Sequence, residues 1–203
     1  MFGNKSVLSN SLVIAFLISF CFLVFSCAST KMEIQTNPSI PKPEYKKLAV
    51  LVNSADIEER RTGEKIFIKS LAKKGIAAES CIEVFPTIKD YSDKEIKDIA
   101  SILNEHKIQA VLIIDIEFSG IIYNLVYYLN PSPSSVSTSP SLINTAYTKY
   151  IVKVVDLATG KNSFYATADA TGGADTIWEA LLHSLANKTI QTMQKNSIIK
   201  PVK

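Results

Sequence analysis

The sequence predicts an α/β domain with some α+β character, its elements in the order β-α-β-α-β-β-β-α, forming a mixed sheet flanked by helices. Three observations predict it. Lys47–Val52 (KLAVLV) and Ile108–Ile116 (IQAVLIIDI) are short apolar runs of the kind found in strands covered on both faces. Two strand–helix–strand units in succession favour parallel pairing through right-handed crossovers, with layers on both faces of the sheet. Later, Tyr147–Leu157 and Asn162–Ala170 flank Ala158-Thr159-Gly160-Lys161, a tight hairpin connection with Gly where φ > 0 is needed.

The chain has 203 residues, 47% hydrophobic and 20% charged, with a mean hydropathy of +0.15, ordinary for one globular domain with appendages. Residues 1–26 carry a polar start with Lys5 as the only side-chain cation, then a 14-residue apolar run, Leu12–Phe25. That is the length of an export-signal core and is short of the ~20 residues of a membrane-spanning helix. Leu23-Val24-Phe25-Ser26-Cys27 resembles the lipobox of bacterial lipoproteins, with Phe25 bulkier than the small residue usual there. The resemblance implies cleavage before Cys27, diacylglycerol on its sulfur, and firm anchoring by several acyl chains. By the sorting rule of enteric bacteria, Ala28 would send the product to the outer membrane. Without Lys5 the net charge falls from +3 to +2, too little for a sequence-independent nucleic-acid binder.

From Cys27 to Tyr45 the chain is polar and punctuated by Pro38, Pro41 and Pro43, which predicts a flexible tether. The α/β domain is expected over residues 46–197. After the first strand, Ser54 or Asp56 can cap a helix over Ile57–Lys74, which Gly75 ends. Ile76–Phe85 reads as a second strand containing Cys81, closed by Pro86. Asp93–His106 reads as a second helix, with Ile96, Ile99, Ala100 and Leu103 at helical spacing. Glu117–Leu129 is Tyr-rich and extends the third strand. Residues 130–144 (NPSPSSVSTSPSLIN) read as a mobile Ser/Pro loop. Gly172-Gly173 breaks the chain before a helix over Ala174–Lys195, and residues 198–203 form a tail.

Catalytic and metal chemistry finds little support. His106 and His183 are the only histidines, and neither has Cys, Asp or Glu at ligand spacing. Asp115 interrupts an apolar strand, so it is either buried and paired or on an exposed stretch. Gly172-Gly173 belongs to neither GxGxxG nor GxxxxGK[ST], and Asp175 would repel an anion there. Cys81 has no partner in the exported chain and reads as a buried, hydrophobe-like residue. The serines of the loop form no GxSxG elbow. Tyr123, Tyr127, Tyr128, Tyr147 and Tyr150 flank the loop. They are candidates either for an interaction surface or for cross-strand pairs in an exposed sheet.

The succession of a lipobox, KKLAVLV, a helix with a charged start, AVLIIDI, VKVVDLATGK and a final amphipathic helix is similar to the small α/β lipoproteins related to the TolB N-terminal domain, a group that includes CsgG and LpoB. The resemblance covers about residues 46–195. It implies non-enzymatic work in envelope assembly or transport and supplies no catalytic residue, metal or cofactor. The expectation is a lipid-anchored, periplasm-facing envelope protein that binds membrane lipid through acylated Cys27 and one or more envelope proteins through its domain. A homo-oligomeric pore-forming secretion lipoprotein, with residues 117–150 as a membrane hairpin, is the alternative, and an enzyme with an unrecognised site is the third.

Overall fold

The computed structural model describes residues 28–36, 44–84, 99–132, 135–173 and 175–200. The expected signal segment and Cys27 lie outside them, as do residues 85–98, which hold the first six residues of the expected second helix. The described elements are β1 (Ser29–Thr36), β2 (Lys47–Asn53), α1 (Ile57–Ala72), β3 (Ala77–Ser80), α2 (Cys81–Val84), α3 (Ala100–Glu105), β4 (Ala110–Ser132), β5 (Ser135–Asp156), β6 (Asn162–Gly173) and α4 (Trp178–Lys195).

The six strands form one mixed sheet in the order β1-β6-β5-β4-β2-β3. β2 runs parallel to β3 and β4, as the two strand–helix–strand units predict, and the remaining pairs are antiparallel. Alternate residues sort to opposite faces. Leu48, Val50, Val52, Leu112, Ile114, Tyr150, Val152 and Val154 meet α1 and α4, while Ala49, Leu51, Val111, Ile113 and Val155 form a second cluster with Leu103 of α3. On β6, Ala166, Ala168 and Ala170 are fully buried in the first cluster. Three small side chains in a row let α4 sit close to the sheet, with Leu182, Leu185, Ala186 and Met193 against it.

Asp56 is the N-cap of α1, accepting from the amides of Glu58 (2.8 Å) and Glu59 (3.0 Å). At the other end Ile76 N–H donates to Leu71 O (3.1 Å) and Gly75 N–H to Ala72 O (2.9 Å), a Schellman motif with Gly75 at φ 71°. The same pair of bonds ends α3, with Lys107 at φ 58°, and α4, with Ser197 at φ 58°. These two helices use a side-chain-bearing residue where glycine is favoured.

Four expectations need correction. The stretch read as a tether contains β1, which lies antiparallel along β6 from Ser29↔Thr171 to Thr36↔Phe164. β6 would otherwise present a row of unpaired backbone groups, and Met32 and Ala28 pack onto the core as β1 covers it. The second strand stops at Ser80, because Ser80 and Ile82 turn inward to a buried carboxylate and start α2. Cys81 is therefore buried at a helix start rather than on a strand. The C-terminal tail is partly core: Ile198 and Ile199 are buried, and Tyr45 bridges to them through its N–H to Ile198 O (2.9 Å) and its C=O from Lys200 N–H (3.0 Å). The Ser/Pro loop is strand, since β4 and β5 pair continuously from Ala110↔Asp156 to Ser132↔Ser135. Beyond the end of β6 this pair is a two-stranded ribbon to whose outer edges no other described strand is paired, so proline is tolerated there as on any free edge.

Gly63 faces β2 so closely that a Cβ there would lie 2.9 Å from Val52 Cγ2. Gly63→Ala should therefore lower stability in urea unfolding by about 1–3 kcal/mol, although alanine is the better helix former. Equal or greater stability would contradict this seating of α1. Lys107→Gly should raise stability by about 1 kcal/mol, because glycine adopts the left-handed conformation without steric cost.

Candidate functional site

Two regions concentrate unusual residues. The first lies at the carboxyl ends of β2 and β3, where β4 passes them at Asp115, the side on which open α/β sheets place their sites. Glu64 is fully buried on α1 and accepts from Arg60 Nε (3.1 Å), Ile82 N–H (3.1 Å) and the Ser80 hydroxyl. Arg60 is buried beside it. The carboxylate thus joins α1 to β3 and α2, and its lone pairs are used in holding them. Nearby, Asp115 accepts from Asn53 Nδ2 (3.1 Å) and pairs with Lys153 Nζ (3.1 Å) across β2, β4 and β5. This resolves the Asp115 alternatives, for the residue is half-buried and paired. Both clusters read as structural polar networks joining strands.

The other single residues find structural places. Asp156, also buried, receives Tyr45 Oη (2.8 Å), Thr159 N–H (2.7 Å) and Thr159 Oγ1 (2.8 Å), so it fixes the β5–β6 hairpin and ties the chain before β2 to it. Burial holds the Tyr45 hydroxyl well above the usual tyrosine range. Burial likewise pushes the Cys81 thiol far up, with Glu64 adding to the shift, which removes its thiolate at neutral pH. His106 ends α3 and its Nδ1 lies 2.9 Å from Glu79, which also pairs with Lys47 at 2.5 Å. These partners lower the Glu79 pKa. His183 is exposed on α4. Among the described residues no three His, Cys, Asp or Glu side chains come together as metal ligands. A cleft of about 630 Å³ between α1 and β3–α2 sets Arg61, Lys65 and Lys69 against Glu79 and Glu83, so its charges largely cancel.

The second region is the β4–β5 ribbon. At its base Phe118, Ile121, Ile122, Tyr123 and Ile143 are exposed, Tyr123 at 64%. Phe118 and Tyr147 pack with ring centroids 5.9 Å apart, and Tyr147 Oη donates to Asp169 (2.5 Å). A shallow pocket of about 230 Å³ opens between Ile121, Tyr147 and Trp178. Of the five tyrosines flanking the Ser/Pro segment, Tyr123 and Tyr147 thus gather at the ribbon base. Tyr150 does not, since it is fully buried under α4 with its pKa pushed up to about 12 by burial, and it belongs to the core. Tyr127 and Tyr128 hold register positions opposite Pro140 and Ser139, and their side chains lie outside the described residues. Among the described residues no helix is long and apolar enough to cross a membrane, which leaves strands unaddressed.

No protein-family model matches the chain, and no curated protein matches it in sequence. Solved structures do share the architecture. A PelC dodecamer from Paraburkholderia phytofirmans is 14% identical with a TM-score of 0.50, covering 81% of this chain and 98% of that one. Lipoprotein GNA1162 from Neisseria meningitidis is 13% identical with a TM-score of 0.45, covering 73% of this chain and 98% of that one. A minor lipoprotein from Acinetobacter baumannii is 10% identical with a TM-score of 0.39, covering 77% and 98%. The likeness to PelC is one of fold: a small mixed α/β domain that nearly the whole of that chain shares.

The buried pair supplies a test of the structural reading. Glu64→Leu leaves Arg60 buried without its carboxylate and should cost about 3–5 kcal/mol in urea unfolding. Joining it with Arg60→Met should recover much of that loss. If the double variant is as unstable as the sum of the single ones, the two side chains are not coupled.

Proposed function

We propose that this chain is a lipoprotein of the bacterial cell envelope, anchored through acylated Cys27 in the outer membrane with its domain facing the periplasm. It acts by binding other envelope proteins in assembly or transport rather than by catalysis. The observation that carries the binding reading is the base of the ribbon, which exposes Ile121 and Tyr123 on one face and Phe118, Ile122 and Ile143 on the other. Patches of this kind on a soluble domain mark contact surfaces, with aromatic residues at their centre. The paired states of Glu64, Asp115 and Asp156 weigh against an enzyme, because these carboxylates are occupied in holding elements together.

A second reading, an oligomeric secretion lipoprotein with residues 117–150 as a membrane hairpin, is favoured by one measurement. The ribbon past β6 spans residues 123–132 and 135–144, ten on each strand, and a tilted membrane strand needs about 9–11. Its free backbone edges could exist in hydrocarbon only if further copies closed a barrel. A defined oligomer by light scattering in detergent supports this reading, and a monomer at every concentration removes it.

Two outcomes test the first reading. Cys27→Ala should accumulate as uncleaved precursor. The mature wild-type chain should show no reactive thiol when folded and one, Cys81, when unfolded, whereas a thiol reacting in the folded protein would show Cys27 unmodified. In crosslinked pull-downs from envelopes, a specific protein should be retained by the wild type and lost when residues 122–145 are replaced by an Asn-Gly turn. Retention of the same proteins by both would remove the ribbon as the binding surface.

A further inference from the structure

The small net charge of the whole chain conceals a separation of charge between the two ends of the sheet. One end is marked by a row of backbone bonds across β3, β2, β4 and β5. Ala77 N–H donates to Lys46 O (3.3 Å), Gln109 N–H to Lys47 O (3.0 Å) and Leu157 N–H to Gln109 O (3.1 Å). Lys46 and Lys47 open β2 there, Lys73 and Lys74 follow α1, and Lys107 follows α3. Lys161 lies in the β5–β6 turn, Lys195 ends α4, and Lys200 N–H bonds to Tyr45 O. These eight lysines share the end with four carboxylates, Glu44, Glu79, Glu105 and Asp156, a net charge of +4 among the described residues.

Three of the four carboxylates are engaged. Glu44 pairs with Lys200 (2.6 Å), Glu79 with Lys47 (2.5 Å) and His106 (2.9 Å), and buried Asp156 serves Tyr45 and Thr159. Lys46, Lys73, Lys74, Lys107, Lys161 and Lys195 are exposed and enter no ion pair among the described residues. Lysines 73, 74, 107 and 195 complement the negative ends of three helix dipoles. Lys46 and Lys161 serve no helix, so the positive charge exceeds what the helix ends use. The opposite end of the sheet carries Asp56, Glu58 and Glu59 at the start of α1, with Asp115 and Glu117 on β4.

The kind of charge narrows the partner. Centres of protein–protein interfaces are rich in Arg and aromatic residues and poor in Lys. Here lysine stands alone: both arginines of the chain, Arg60 and Arg61, lie in the first turns of α1, and Tyr45 is buried. The charges also lie along a line rather than round a point. From β3 to β6 the end crosses five strands, about 20 Å at about 4.8 Å per spacing. Lysine ammonium groups are mobile point charges without a fixed fork, suited to a repeating polyanion held in many registers. A lipid surface is disfavoured by position. Ser29 pairs with Thr171, Thr171 with Tyr147 and Tyr147 with Gly120, a row at the ribbon end, so the anchor proposed for Cys27 emerges away from the lysines.

We infer that the lysine end of the sheet is a binding surface for an acidic polysaccharide, a chain bearing a carboxylate on successive sugar units. The choice of a glycan over a nucleic acid rests on the envelope location proposed above. The test titrates polygalacturonate into the full mature protein in non-ionic detergent, with dextran as the uncharged control. Polygalacturonate should bind and dextran should not, and affinity should fall about tenfold or more between about 50 and 200 mM salt, as counterion release requires. Lys74→Glu/Lys161→Glu should weaken binding at least about tenfold at the lower salt, whereas Lys31→Glu/Lys65→Glu, with the same net charge and exposed positions elsewhere, should stay within about twofold. Circular dichroism confirms that both variants are folded. No binding at the lower salt, or equal loss in the two variants, overturns the surface. Poly-glutamate bound where polygalacturonate is not overturns the glycan in favour of an acidic polypeptide. Intact mass reports acylation separately: unacylated protein that binds polygalacturonate with the same lysine dependence removes the anchor and upholds the polymer surface.

Discussion

The antiparallel pairing of β4 with β5 is the constraint on which the remaining architecture depends. β4 is where the two halves of the sheet meet: it receives β2 in parallel on one side and β5 antiparallel on the other. Leu112, Ile114, Val152 and Val154 from these two strands are fully buried, and each contributes on the order of 2 kcal/mol of burial. The bulge between Ile116 and Phe118 shifts the register within the sheet, and Thr148 and Ala146 past it are still buried. Beyond the end of β6 the same pairing continues alone among the described strands, so a single ladder serves first as the spine of the core and then as the projection.

The elements around this spine are held by close approach and by buried polar contacts. Gly63 lets α1 descend onto Val52, and Ala166, Ala168 and Ala170 do the same for α4 on β6. Glu64 fastens α1 to β3 and α2, Asp156 fastens the β5–β6 hairpin to Tyr45, and Thr30 donates to Ser184 between β1 and α4 (2.8 Å). A buried carboxylate is a poor source of net stability, because desolvation offsets most of its attraction. Its effect here is positional, since Ser80 and Ile82 must turn to meet Glu64 and the third strand ends there.

Much of the fold was legible in the sequence. KLAVLV and AVLIIDI are central strands, Asp56 caps α1, Gly75 ends it, and Gly160 turns the last hairpin at φ 61°. The misses share a physical cause, which is that composition was weighed above pairing. β1 is polar and looks like a tether, yet an unpaired β6 edge makes it a strand. Serines and prolines at 130–144 look like a loop, yet a two-stranded ribbon tolerates proline on its free edges. Of the five tyrosines named from aromatic spacing, Tyr123 and Tyr147 lie at the ribbon base, while Tyr150 belongs to the core because strand phase decides which tyrosines are buried. The signal that could have located the ribbon is the run of residues 118–148 without a charge, which needs no structure to read. The sharing of one sheet end by Ser29 and the ribbon was not legible, because it depends on the β1–β6–β5–β4 register.

These features make an account in which position matters more than chemistry. The lipid proposed for Cys27 would attach two residues before β1, at the end of the sheet from which the charge-free ribbon leaves. The exposed lysines gather at the opposite end. The most direct measurement is amide hydrogen exchange of the mature acylated protein, compared with and without polygalacturonate. Amides of residues 73–77, 107–109 and 158–161 should exchange more slowly with the polymer present, while those of residues 118–148 stay unchanged. No change at the lysine end, in protein shown to be polymer-bound, would contradict the account.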